Sequence, residues 1–147
     1  MSTKSEKAVE TFMCGYNCAQ SVFLSFCEDY GIDRNTAAKM VTSLGGGISK
    51  TKNICGTLSA MALAIGAEQG KTDPSQPERQ DKTYKLVREA IEKFKAEFGA
   101  TDCPTLLGYD ISDPDGFAKA CEADAFHTIC PKYVEMAVKL AEEGIAK

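Results

Sequence analysis

Two stretches of this chain set a cysteine directly before a proline, "TDCPTLLG" (Thr101 to Gly108) and "TICPKYV" (Thr128 to Val134). Proline suits the first turn of a helix, where its missing N–H is not needed and its fixed φ is already helical. Cys103 and Cys130 are therefore expected at or near the N-caps of two helices. Cys18 follows Asn17, and Gln20 completes a capping box with that asparagine, so Cys18 should be the first residue of a third helix. Cys55 stands at the entrance of a long apolar run and makes the fourth. A helix N-terminus offers partial positive charge and free N–H donors, which favour a thiolate. The thiolate is the form that attacks disulfides or ligates metal, so the candidate redox, cofactor-binding and metal-ligating residues are Cys18, Cys55, Cys103 and Cys130.

The spacing between them is wide and contains no C-x-x-C. That argues against a thioredoxin-like motif, and a zinc ribbon or bacterial ferredoxin would normally show close cysteine pairs. Only the tertiary fold can bring the four together. Cys14, Cys27 and Cys121 lack the helix-start context and read as packing residues. Cys14 has one further option, as an auxiliary resolving thiol beside Cys18. His127, the single histidine, reads as a surface or hydrogen-bonding residue. "GGGISKTK" (Gly45 to Lys52) lacks the glycine spacing and preceding strand of a phosphate loop and reads as a helix stop followed by a loop.

The elements that must position these thiols are all helical. Lys4 to Met13 carries apolar residues at helical spacing, and a second helix runs from Cys18 towards Gly31. Asp33 caps a third, Arg34 to Leu44, which the glycine run ends. "CGTLSAMALAIGAEQ" (Cys55 to Gln69) is apolar on most sides and reads as a buried central helix. Ser75 with Glu78 suggests a capping box for a long helix whose inner face carries Tyr84, Val87, Ile91, Phe94 and Phe98, closed by Gly99. A short helix from Pro104 to Gly108, another within "FAKACEADAF" (Phe117 to Phe126) and a last one from Pro131 complete the chain. Met40, Met61 and Met136 read as core filling. No period-two segment reads as a strand. The expected fold is all-α, one compact multi-helix bundle over residues 1–147.

Hydrophobic residues at 44% and charged residues at 26% are ordinary globular composition. A net charge of -4 without a basic stripe excludes nucleic acid as a natural partner. No run approaches the roughly 18 apolar residues of a membrane span. "MSTKSEKAVETFM" has neither a long apolar core nor a small-residue cleavage site, so the expected location is cytoplasmic. Seven cysteines in that compartment are ligands, redox thiols or core, not a disulfide framework.

"YNCAQSVF" (Tyr16 to Phe23), the glycines Gly45 to Gly47, Cys55 with Gly56 and later Gly66, "DCPTLLGYD" (Asp102 to Asp110) and Cys130 together resemble the C_GCAxxG_C_C family, in order and over nearly the whole chain. Thr57 and Ala60 stand where that family usually has alanine and glycine. The resemblance implies a small helical redox-active domain whose hallmark cysteines match Cys18, Cys55, Cys103 and Cys130. It is related to a domain of split-Soret-type cytochromes, where an iron-sulfur cluster is the implied cofactor. The first expectation is thus a redox or electron-transfer protein rather than a hydrolase or transferase, its four thiolates holding an iron-sulfur cluster of the 2Fe-2S type. One alternative is a metal-free protein with two dithiol/disulfide pairs of unassigned partners. Another is a non-redox helical module built around structural zinc. The partner called for is an unidentified redox protein, and a homodimer is allowed.

Overall fold

A computed structural model describes residues 2–147, and among them every regular element is a helix. Met1, counted in the expected bundle, lies outside the described residues. The helices are α1 (Lys4–Met13), α2 (Cys18–Leu24), α3 (Arg34–Val41), α4 (Gly56–Gln69), α5 (Pro77–Phe98), α6 (Cys103–Leu107), α7 (Pro114–Glu122), α8 (Ala125–Ile129) and α9 (Pro131–Ala146). The all-α reading holds.

Side-chain caps set many of the starts. Asn17 accepts from the Gln20 N–H at 2.9 Å while the Gln20 side chain accepts from the Asn17 N–H at 3.0 Å, the reciprocal arrangement of a capping box. The Asn17 and Gln20 amides also donate to Thr42 and Ala38, which ties α2 to α3. Asp33 and Asp102 accept from the N–H groups of Thr36 and Thr105. Pro77, Pro104, Pro114 and Pro131 all occupy first turns. Asp102 caps α6, and Cys103 is its first residue, next to the N-cap as expected. Other expectations need correction. The long helix starts at Pro77, after Gln76, and Ser75 takes no capping role there. The single short helix expected within Phe117 to Phe126 is instead two, α7, which already starts at Pro114, and α8.

The glycine run departs furthest from expectation. The α3 helix ends at Val41, a 3-10 turn covers Thr42–Leu44, and residues 46–50 then wind left-handed, with φ of 68° at Gly46, 69° at Gly47, 62° at Ile48, 54° at Ser49 and 64° at Lys50. Left-handed backbone costs a non-glycine residue about 1–2 kcal/mol, so neighbouring bonds must hold it. Ser49 Oγ donates to the Ser43 carbonyl at 2.8 Å, Thr51 Oγ1 donates to the Ile48 carbonyl at 2.7 Å, and Asn53 N–H donates to the Gly47 carbonyl at 3.0 Å.

Helix α4 lies at the centre, with α2, α5 and α9 packed around it and Leu58, Met61 and Ile65 fully buried. On α5 the core-facing residues are Leu86, Ala90 and Phe94, with Val87, Ile91 and Phe98 partly buried; Tyr84, expected on this face, is exposed. Met61 is core, Met136 packs against it, and Met40 is exposed, contrary to expectation. A second, smaller apolar cluster of Leu107, Ile111, Ala120 and Ala125 lies beside the main one. Tyr133 Oη donates to the Leu106 carbonyl at 2.6 Å and fastens α6 against α9.

Phe94 stacks edge-on against Phe98 at 4.8 Å between ring centroids and packs near Tyr133. Phe94→Ala should therefore lower unfolding free energy by about 3–5 kcal/mol in urea titrations. Tyr84→Ala should change it by less than about 0.5 kcal/mol.

Candidate functional site

The four helix-entrance cysteines line one cavity of about 450 Å³, set between the main core and the smaller cluster. Phe12 and Tyr133 wall it from the first, Leu107 and Ile111 from the second. Cys55 is buried, and Cys18, Cys103 and Cys130 are half-buried.

Backbone pairing places two of the thiols. Ile54 and Asp102 form an isolated antiparallel bridge. On either side of it the Cys55 N–H donates to the Thr101 carbonyl at 2.8 Å and the Cys103 N–H to the Asn53 carbonyl at 3.0 Å. The N-terminus of central helix α4 and that of α6 are thereby locked together. Cys55 is the N-cap of α4, and Cys130 both ends α8 and caps α9.

Close approach places the third. A Cβ on Gly56 would stand 2.7 Å from the Leu44 carbonyl oxygen, 2.8 Å from Cys18 Sγ and 3.1 Å from Gly45 Cα. Only a residue without a side chain lets the start of α4 press against Gly45 and the Cys18 sulfur together. Gly47 plays the same part beside Cys103, because a Cβ there would come within 2.7 Å of Cys103 Cβ and 2.8 Å of the Asn53 carbonyl. The glycine run, read as a helix stop, is thus part of the site wall.

Cys18 and Cys55 act on each other's acidity, and the two part as a result. The Cys55 thiol donating to Cys18 draws the Cys18 pKa down to about 7 against the opposing effect of burial, helped by the N–H groups of Gly46, Ala19 and Cys18 itself. Cys55 moves well above the ordinary thiol range because of its bond to Cys18, then burial, then the Cys18 charge; the Thr57 hydroxyl, 3.1 Å from its sulfur, works the other way. Burial first and the Cys18 charge second push Cys103 up to about 11 and Cys130 up to about 12. The expectation that every helix-start thiol is made acidic needs correction, since burial raises Cys103 and Cys130, and the bond to Cys18 followed by burial raises Cys55.

Among the described residues, no three His, Cys, Asp or Glu side chains converge closely enough to hold a single metal ion. The arrangement offers one close thiol pair and two further thiols around an apolar cavity. Of the remaining cysteines, Cys27 is buried in the core as expected, whereas Cys14 and Cys121 are exposed, and Cys121 also borders the cavity. His127 borders it too and shares a 2.8 Å hydrogen bond with Asp124. Sequence reasoning missed Thr57 as a sulfur partner, although its place two residues after Cys55 was the available signal.

No helix among the described residues is long and apolar enough to cross a membrane. A family model described as "Putative redox-active protein (C_GCAxxG_C_C)" matches residues 16–144. No curated protein and no solved structure matches the chain.

Alkylation by iodoacetamide, read peptide by peptide, should rise at Cys18 through pH about 7 while Cys103 and Cys130 remain slow at pH 8. Gly56→Ala should displace the Cys18 sulfur and return that titration towards the ordinary thiol value. An unchanged Cys18 profile in this variant would contradict the close-approach account.

Proposed function

Because this chain belongs to the C_GCAxxG_C_C family, whose members are described as redox-active, we propose that it acts by thiol–disulfide exchange through Cys18 and Cys55. The observation that carries this reading is the asymmetric pair itself. A half-buried thiol with lowered pKa stands beside a buried thiol with raised pKa, the division of labour between an attacking and a resolving cysteine.

The chemistry balances with a disulfide as oxidant. The Cys18 thiolate attacks one sulfur of the substrate, forming a mixed disulfide and expelling the other half as a thiolate. Cys55 then gives up its proton to the expelled thiolate or to water and attacks Cys18 Sγ, expelling the second half. Two electrons have moved to the substrate and a Cys18–Cys55 disulfide remains, which an external thiol reduces. The Thr57 hydroxyl favours the charged form of Cys55 and so assists the second attack.

A second reading is favoured by Cys103 and Cys130. Four thiols around an apolar cavity, with backbone N–H groups directed at one sulfur, match the donor number and the surroundings of an iron-sulfur site. Cys18, Cys55, Cys103 and Cys130 would hold such a cluster, which when bound supplies one-electron transfer. A lone zinc ion finds less support, because it needs its ligands gathered about one point.

Anaerobically purified protein should be colourless, contain no stoichiometric iron, sulfide or zinc, and lose two of its seven thiols on oxidation. Cys18→Ser should abolish reduction of a small disulfide, and Cys55→Ser should trap a mixed disulfide on Cys18. Brown protein whose iron and sulfide are lost in Cys103→Ser or Cys130→Ser would replace the exchange reading with the cluster.

A further inference from the structure

The cavity beside Cys18 is more selective than exchange chemistry requires. Its lining side chains are mainly aromatic and aliphatic, and among the described residues none of them is Lys, Arg, Asp or Glu. The Lys50 ammonium lies 3.8 Å from the ring centroid of Phe117 and is not part of the lining. The whole chain carries a net charge of -4. An anionic substrate would meet no lysine or arginine in the lining, where the one basic ring, His127, is already engaged by Asp124 at 2.8 Å, and burying its carboxylate unpaired would cost far more than the contact could return. The volume, about 450 Å³, is that of a site that surrounds a small molecule. Cys55, which must complete the reaction, is buried in this wall. The half of the substrate left on Cys18 must therefore fit inside the cavity while Cys55 attacks.

Resting on the exchange reading above, we propose that the substrate is a small, uncharged disulfide with apolar or aromatic halves, taken into this cavity, rather than a charged peptide disulfide or a disulfide on a protein surface. Phe12, Leu107, Ile111 and Phe126 receive its halves, and Cys18 meets the sulfur. Electrons and atoms balance as in the general exchange: one dithiol becomes one disulfide, and one substrate disulfide becomes two thiols.

The test uses the reduced full-length protein and two reagents of similar size, neutral 4,4′-dithiodipyridine and the dianion of 5,5′-dithiobis(2-nitrobenzoic acid). The readout is the Cys18–Cys55 disulfide, quantified by peptide mass, so that exposed Cys14 and Cys121 do not contribute. Each rate is divided by that of N-acetylcysteine with the same reagent. The neutral reagent should be favoured by at least about tenfold, and its rate should saturate with concentration. Phe117→Lys, with folding checked by circular dichroism, should narrow that preference. Equal normalised rates for the two reagents would overturn the selectivity while leaving the exchange reading intact. Failure of both reagents to form the Cys18–Cys55 disulfide would overturn the exchange reading itself.

Discussion

Two backbone segments and a cysteine sulfur meet at Gly56, and the site depends on that meeting. The Leu44 carbonyl, Gly45 Cα and the Cys18 sulfur all crowd the position a side chain would take. Within a helix, glycine is ordinarily poorer than alanine by roughly 1 kcal/mol. Here the missing methyl is what allows the first turn of the central helix to sit under Cys18, with Cys55 at its cap beside that sulfur. Asn17 holds Cys18 from the other side through its cap and its bond to Thr42. The paired segments around Ile54 and Asp102 bring Cys103 to the same cavity. The left-handed turn at residues 46–50 is the strained connection that carries the chain from one wall to the next.

Electrostatics in the cavity follow from crowding several thiols into one apolar place. The first negative charge settles on Cys18, where three backbone N–H groups and the Cys55 thiol receive it. That charge then raises the cost of a second at Cys55, Cys103 or Cys130, each already penalised by burial. One nucleophile among four thiols is the consequence, with its nearest neighbour kept protonated until the charge has left. A bound cation would reverse this balance, since a coordinating thiol is deprotonated outright. The two chemical readings thus predict different charge states for the same residues.

Much of this was legible in the residues. Asn17 with Gln20, Pro104 and Pro131 mark helix starts by local chemistry, and the structure keeps those starts to within a residue. The apolar run after Cys55 marks the central helix for the same reason, because burial on most sides leaves no polar stripe. What local chemistry cannot convey is distance between parts of the chain far apart in sequence. The bridge joining Ile54 to Asp102 is a single residue pair with no alternating pattern to announce it. Ile48 and Ser49 carry no signal for left-handed backbone, which nearby bonds impose on them. The acidity of the cysteines was misjudged because helix-start position can be read locally, whereas burial cannot. Tyr84 shows the same limit from the other side, since it shares the apolar character of the α5 core residues and still faces solvent.

The central claim is that Cys18 and Cys55 form the working pair, and disulfide mapping tests it most directly. Reduced protein is oxidised anaerobically with one equivalent of a neutral disulfide, quenched with acid, alkylated, digested and read by mass spectrometry. The account predicts that the peptides carrying Cys18 and Cys55 are the first to be joined, while Cys103 and Cys130 are recovered as alkylated thiols. A first bond between Cys103 and Cys130, or a Cys18 thiol that survives oxidation, would contradict it.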